Sequence, residues 1–309
     1  MNAETYPTGT AADASQSAPE PSFKEDRWPG PKPTVKRRAG RDRSSASVRL
    51  DQIYTKDAVA ARLYGVVGKH LDLDDCQLVE PSAGAGAFSE QMPASRWACD
   101  IAPKGLRIRQ ANFLDLQLKC AREIVVIGNP PFGSNASLAV SFFNHAATFA
   151  IAIAFVLPRS FRKASIINRL DRRFRLIDEE LVEPDAFTLD GATRDVPTVF
   201  QIWVRCPEPF ERELVPVQTS HPDFEFVTST DADTKLVRGV DADFVLQRVG
   251  ANAGRTHGDF SKSRSSHYFI KGPVEAIFSA LEAPFRAAAS NASGNPSLAR
   301  SEVVAIYRQ

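Results

Sequence analysis

Cysteine is scarce in this sequence, and none of it sits in a pairing pattern. Cys76, Cys99, Cys120 and Cys206 form no CxxC pair and have no histidine at zinc-ligand spacing. That excludes a disulfide-built scaffold and a zinc-ribbon site, so no metal is expected and the pattern is that of reduced thiols in a cytoplasmic protein. A long hydrophobic run is missing too. The longest, residues 146–157, is interrupted by Thr148 and is too short to span a bilayer. The first residues are polar, so no secretory leader is expected. An excess of one charge is also absent: 38 Lys and Arg face 37 Asp and Glu, so net charge points to no acidic partner and only local clusters carry information. No internal repeat is evident, which argues against a solenoid, and no nuclease motif is found.

What is present divides the chain into three. Residues 1–46 are rich in Pro, Ser, Ala and Gly without apolar periodicity, and they are expected to be disordered. Their end is basic, with Lys32, Lys36, Arg37, Arg38, Arg41 and Arg43 opposed only by Asp42. An arm touching nucleic-acid phosphates and a merely solvated tail both fit. Residues 47–210 alternate apolar strand runs with helical patterns, as in an α/β domain. Pro207, Pro209 and Pro216 then mark a linker. Residues 211–309 read as a small α+β module. Strands are expected over 243–250 and 266–270, and a helix over 273–289 with Val274, Ile277, Phe278, Leu281 and Phe285 on one face. A closing strand is expected over 301–307. Target recognition, dimerisation or a lid role all suit this module, and Arg248, Arg255, Lys262, Arg264 and Lys271 offer phosphate contacts.

Within the α/β region, the spacing predicts a helix over 57–70, capped by Thr55, with Val59, Leu63, Val66 and Val67 on its buried face. Strands follow over 76–80, 96–100, 106–110, 124–128, 151–157, 174–182 and 198–205. A helix over 136–149, capped by Ser134 or Asn135, precedes the fifth of them after an interval at 129–135, and a loop is expected over 185–195. His145 reads as a core or surface histidine.

Two strand ends carry the chemistry. The run 76–80 enters Pro81-Ser82-Ala83-Gly84-Ala85-Gly86-Ala87-Phe88, a Gly-rich turn expected to open a helix, as in the first unit of a doubly wound sheet. The third glycine of a dinucleotide fingerprint is replaced by Ser89, and no P-loop ending is present, which disfavours a pyrophosphate ligand. The apolar run 124–128 ends in Asn129-Pro130-Pro131-Phe132. Two prolines donate no backbone hydrogen bond and cannot continue a ladder. The strand therefore stops abruptly, leaving an amide and a carbonyl as acceptors beside an aromatic ring. That arrangement suits a planar amino group. Asp100, at the end of 96–100, suits ribose hydroxyls, and Asp115 suits an adenine amine.

In this order the motifs resemble those of a class I S-adenosylmethionine-dependent methyltransferase, over roughly residues 51–205. Within that class they are similar to N6-adenine DNA methyltransferases that place the cofactor motifs before the catalytic one. The resemblance implies a Rossmann-like seven-stranded sheet closed by a hairpin. It implies S-adenosyl-L-methionine held by Tyr54, Thr55, Glu80, Pro81, Ser82, Gly84, Gly86, Phe88, Asp100, Asp115 and Asn129. Catalysis is implied at Asn129, Pro130, Pro131 and Phe132, on a base flipped out of the stack.

The stretch 159–175 is basic, and Phe161 and Phe174 interrupt it. Arg159, Phe161, Arg162 and Lys163 are expected to bind nucleic acid, with a solvated helix face as the other reading. Phe161 or Phe187 would form the second wall of the base pocket. Adenine or guanine amines of RNA and a protein glutamine present the same planar group. The basic stretch and the extra module favour nucleic acid, and the family resemblance favours DNA. A catalytically silent binding protein is the remaining alternative, against which the intact Asn129, Pro130 and both glycines speak.

Overall fold

The computed structural model describes residues 53–189, 191–228, 241–292 and 294–309. The basic arm expected over 1–46 lies outside the described residues. The chain runs β1 (Tyr54–Thr55), α1 (Asp57–His70), β2 (Gln77–Glu80), β3 (Trp97–Asp100), β4 (Arg109–Gln110), β5 (Ile124–Gly128), α2 (Ser137–Ala146), β6 (Ala152–Pro158), α3 (Ala164–Ile167), β7 (Phe174–Leu181), β8 (Phe187–Leu189), β9 (Ala192–Arg194) and β10 (Thr198–Arg205).

Seven of these strands form one sheet in the order β4-β3-β2-β5-β6-β10-β7. Pairings from β4 through β6 are parallel, whereas β10 runs antiparallel to both β6 and β7. This is a Rossmann-like seven-stranded sheet closed by an antiparallel pair of strands, as expected. Strand order reverses between β2 and β5, so the carboxyl ends of those two neighbours flank the switch point where open α/β sheets bind ligands. The central strands are apolar throughout because both faces are covered. Val125 and Ile127 pack with Leu63, Val67 and Phe200 on one face. Val126 packs with Phe143, Phe155 and Trp203 on the other.

Several local expectations are corrected. Helix α1 has the expected bounds and buried face, but Lys56 is its N-cap and makes no side-chain cap bond. Thr55 belongs to β1 and its hydroxyl is used elsewhere. The Gly-rich turn opens no full helix: only the 3-10 turn Ser89–Gln91 forms, since Pro93 follows two residues later and blocks propagation. The third strand shrinks to Arg109–Gln110 because Arg107 sits at φ 58° and breaks the extension. Helix α2 begins at Ser137 rather than under a Ser134 or Asn135 cap. Asn135 and Ala136 are both left-handed, and the Phe132 carbonyl accepts from Leu138 N and Ala139 N in place of a cap. The segment expected as a loop over 185–195 is the hairpin β8–β9, and β1 pairs with β8 to make a separate three-stranded sheet.

The C-terminal module has strands β11 (Glu225–Phe226), β12 (Phe244–Gln247), β13 (Thr256–His257) and β14 (His267–Lys271), in the antiparallel order β11-β14-β12-β13. Its helices are α4 (Glu275–Ala280), α5 (Glu282–Ala289) and α6 (Arg300–Tyr307). The single helix expected over 273–289 therefore breaks at Leu281, and Ile277 is 46% exposed rather than on the buried face. The strand expected over 301–307 is α6, started by the Glu302 carboxylate accepting from Ala299 N. Phe224, Phe244, Phe278, Phe285 and Val303 give the module its own core. Among the described residues no helix is long and apolar enough to cross a membrane.

Candidate active site

The carboxyl end of β5 is stiff and tied down. Asn129 Nδ2 donates to Thr55 Oγ1 at 3.1 Å and, more weakly, toward the Ile53 carbonyl at 3.5 Å. A carbonyl only accepts, so this contact fixes which end of the amide is nitrogen. Oδ1 is left with no hydrogen bond among the described residues. The Asn129 carbonyl accepts from Ser82 Oγ at 2.9 Å, which couples the end of β5 to the turn after β2. Beside the amide, Pro130, Pro131, Phe132, Ile53, Phe187 and Val196 line a narrow cleft.

That lining decides the second wall. Phe187 borders the cleft, whereas Phe161 has no exposure and packs in the opposite core with Phe143 and Phe174. Ile53 and Val196 were not anticipated. Val196 had a usable signal, an apolar residue just before Pro197 at the entry to β10.

The end of β2 is built differently. Gly84 (φ 53°) and Gly86 (φ 101°) turn the chain in the left-handed region that glycine favours. A Cβ on Gly84 would stand 2.7 Å from Tyr54 Cε1, so the Tyr54 ring lies directly on this glycine, with Lys104 Nζ 4.5 Å from the ring centre. Asp100 Oδ2 accepts from Gly84 N and Oδ1 from Ala102 N, each at 2.8 Å. One lone pair per oxygen remains for another donor. The following loop carries Ile101, the residue after this acid, and Leu106, 71% and 86% exposed. Asp115, exposed, accepts from Asn112 Nδ2 at 2.8 Å.

Some expected ligand contacts are instead supports. Glu80 is 2% exposed and accepts from Ser89 N at 2.6 Å; burial pushes its carboxyl up to about 8. Phe88, 1% exposed, sits in the core behind the turn, and Pro81 is buried. Neither Glu80 nor Phe88 presents its side chain to a ligand.

The basic stretch departs furthest from expectation. Arg162 donates to Glu179 at 2.8 Å and to Asn291 at 3.1 Å. Lys163 pairs with Glu302 at 3.0 Å and donates to the Ser297 carbonyl at 2.8 Å. With Phe161 and Phe174 both buried, this segment joins the sheet to the C-terminal module and is not a stacking surface. Arg159 alone of the four expected residues keeps a guanidinium with no partner among the described residues, and its Nε is buried. His145 Nε2 lies 2.8 Å from the Leu116 carbonyl, and burial lowers its pKa, so it is a neutral core residue.

No family model matches the chain, and no curated protein matches it. Solved structures that align with it include a provisionally assigned RNA methyltransferase from Pyrococcus horikoshii, at 15% identity and TM-score 0.42, over 52% of this chain and 89% of that one. A modification subunit of a provisionally assigned type I restriction enzyme from Vibrio vulnificus aligns at 16% identity and TM-score 0.37, over 54% and 50%. A provisionally assigned methyltransferase from Escherichia coli aligns at 13% identity and TM-score 0.34, over 50% and 89%. The sheet order rests on the strand pairings above and not on these likenesses.

Proposed function

We propose that this chain is an S-adenosylmethionine-dependent methyltransferase that methylates N6 of adenine in DNA. The observation that carries the reading is the Asn129 amide at the switch point. Its nitrogen is committed to Thr55 and Ile53, its oxygen is unclaimed, and it stands on a cleft walled by Phe132 and Phe187. An exocyclic purine amine is a weak nucleophile because its lone pair is delocalised into the ring. Acceptors at Asn129 Oδ1 and the Pro130 carbonyl would hold its two N–H groups and turn the lone pair outward. Preorganised acceptors of this kind act by positioning and electrostatics.

The cofactor fits the residues present. The glycine turn, the spare lone pairs of Asp100 and the exposed apolar Ile101 and Leu106 match a ligand with ribose hydroxyls and an adenine face. When bound, it supplies an electrophilic methyl carbon. Asn129 Oδ1 and the Pro130 carbonyl would hold the amine as acceptor of that methyl group, and the proton the amine gives up would pass to water, with no part for His145. The cleft is narrow, so the base enters it edge-on and unstacked from its neighbours.

RNA amines and protein glutamine offer the same group and constitute the second reading. Incubation with methyl-labelled cofactor and DNA, RNA or protein, followed by nucleoside and amino-acid analysis, separates them. Label in N6-methyladenine of DNA is the expected result. Label confined to RNA or glutamine moves the substrate, and no transfer to any of them overturns the reaction.

A further inference from the structure

The C-terminal module carries two arginines stacked on one ring. Arg248 Cζ lies 4.9 Å from the Tyr268 ring centre and Arg300 Cζ 5.7 Å from it, while Arg300 also lies 5.0 Å from Phe226. Neither guanidinium has an ion pair or side-chain hydrogen bond among the described residues, and Arg248 Nε is buried without a partner. Several other cations are paired, Lys262 with Asp259, Lys271 with Asp241 and Lys163 with Glu302, whereas Arg264 lies over a different ring, Phe269, at 5.6 Å. Two like charges sharing a ring repel each other, and a stacked guanidinium keeps its planar donor edge free. The arrangement therefore leaves two half-buried cationic groups close together and available to anions.

Its position gives the anions an order. Tyr268 OH donates to the Leu298 carbonyl, and Leu298 N donates to the Arg248 carbonyl. Ser297 and Glu302, on either side of Leu298 and Arg300, are the groups that Lys163 grips. The stack thus stands on the segment docked to the 3-10 turn Arg159–Arg162. Arg159, the first residue of that turn, has its own unpartnered guanidinium, and its backbone N donates to the carbonyl of Pro197, next to cleft-lining Val196.

We propose that Arg159, Arg248 and Arg300 form a track for successive phosphates of a nucleic-acid backbone, leading from the base cleft onto the C-terminal module. The inference rests on the nucleic-acid reading of the cleft and adds what the module does. Tyr268 is 7% exposed and arginines lie over it, so it is not open to stack on a base. The module then contributes affinity and register, not sequence readout.

The test uses the full chain carrying Arg248→Gln and Arg300→Gln together, which keeps side-chain length and removes charge. Binding of DNA duplexes of several sequences is measured from 50 to 200 mM salt. The slope of log Kobs against log salt should flatten by about 1.8, equally for every sequence, and Arg159→Gln should remove about 0.9 more. Cofactor affinity and Tm should stay as in the wild type. An unchanged slope, or a change confined to one sequence, overturns the proposal. Poly-glutamate bound as tightly as DNA, and released by the same variants, overturns the nucleic-acid assignment. If the glutamine variants do not fold, Arg248→Lys with Arg300→Lys replaces them, and a slope shifted despite retained charge counts against the track. Wild-type chain that binds DNA with the expected slope yet transfers no methyl refutes the reaction and leaves the track standing.

Discussion

Two stretches look functional in the sequence for different reasons, and they fare differently in the structure. Residues 80–132 stand out for glycine and proline; residues 159–175 stand out for charge. The first stretch lands where its residue types put it, with Gly84 and Gly86 turning at positive φ and Asn129 at a strand end stopped by prolines. The second is largely consumed inside the molecule. Arg162 and Lys163 hold the C-terminal module, Arg173 pairs with Asp171, and Phe161 fills a core. Glycine and proline act on their own backbone dihedrals, so their consequences are local. A long charged side chain takes its partner from whatever element packs beside it, and sequence spacing carries no record of that.

The widest separation between the stretches should appear on replacing Asn129. Asn129→Ala removes the acceptor and the ties to Thr55 and Ile53. Methyl transfer to an adenine-containing oligonucleotide is expected to fall on the order of 10³-fold, with cofactor affinity, measured by calorimetry, within a few-fold of wild type. Retention of a tenth or more of the wild-type rate would break the comparison, because the strand end would then be a turn and nothing else.

Phe161→Ala probes the other stretch. The ring is fully buried in the core cluster that also holds Phe143 and Phe174. Its loss should cost about 3–5 kcal/mol of stability by urea unfolding, while DNA affinity of the folded fraction holds. A stable variant with weakened DNA binding would return Phe161 to the base pocket.

The same contrast explains what was legible. The centre of the sheet could be read because β2, β3, β5 and β6 are short, largely apolar runs ending in glycine, proline or acid. The hairpin β8–β9 could not, since Thr188 and Leu189 are half-buried and Ala192 to Arg194 exposed, leaving no apolar alternation. Residues 301–307 were misread because Val303 and Val304 suit a strand as well as a helix. What settles the matter is Glu302 reaching back to Ala299 N. At the candidate site, the strand-end position of Asn129 and the positive-φ turn at Gly84 were legible from residue type. Glu80 was visible as part of the motif, but its role as a buried brace depends on Gly128 of the neighbouring strand, where a Cβ would press on Glu80 Cγ at 3.3 Å.

That brace supplies a pH test within the glycine turn. Burial raises the Glu80 carboxyl from 4.5 to about 8. Between those values the folded chain holds a proton that the unfolded chain has released, so stability declines as pH climbs from about 4.5 toward 8 and levels off above. Glu80→Gln keeps an acceptor for Ser89 N and has nothing to titrate. Its unfolding free energy should lose this decline, a difference on the order of 2–4 kcal/mol across the window. Parallel profiles for variant and wild type at pH 5, 6.5 and 8 would mean that the turn is not held by a protonated carboxyl.

The smallest expected effect discriminates most finely between the two readings of the basic stretch. Lys163 and Glu302 are 13% and 17% exposed, so their pairing is worth more than a surface bridge yet carries a desolvation cost, and Lys163→Ala should cost about 1–2 kcal/mol. Lys163→Glu sets two carboxylates together and costs more. It should also raise the apparent KM for DNA, but only because the module that carries Arg248 and Arg300 loosens. Swapping the pair, Lys163→Glu with Glu302→Lys, returns the attraction but forfeits the Ala299 cap and the Ser297 bond, so a double-mutant cycle should show favourable coupling with only part of the lost stability recovered. If Lys163 is a joint and not a phosphate contact, the KM recovers with it. A swap that restores stability while the KM stays high would place Lys163 on the nucleic acid after all, and the charge run would then have been as informative as the prolines.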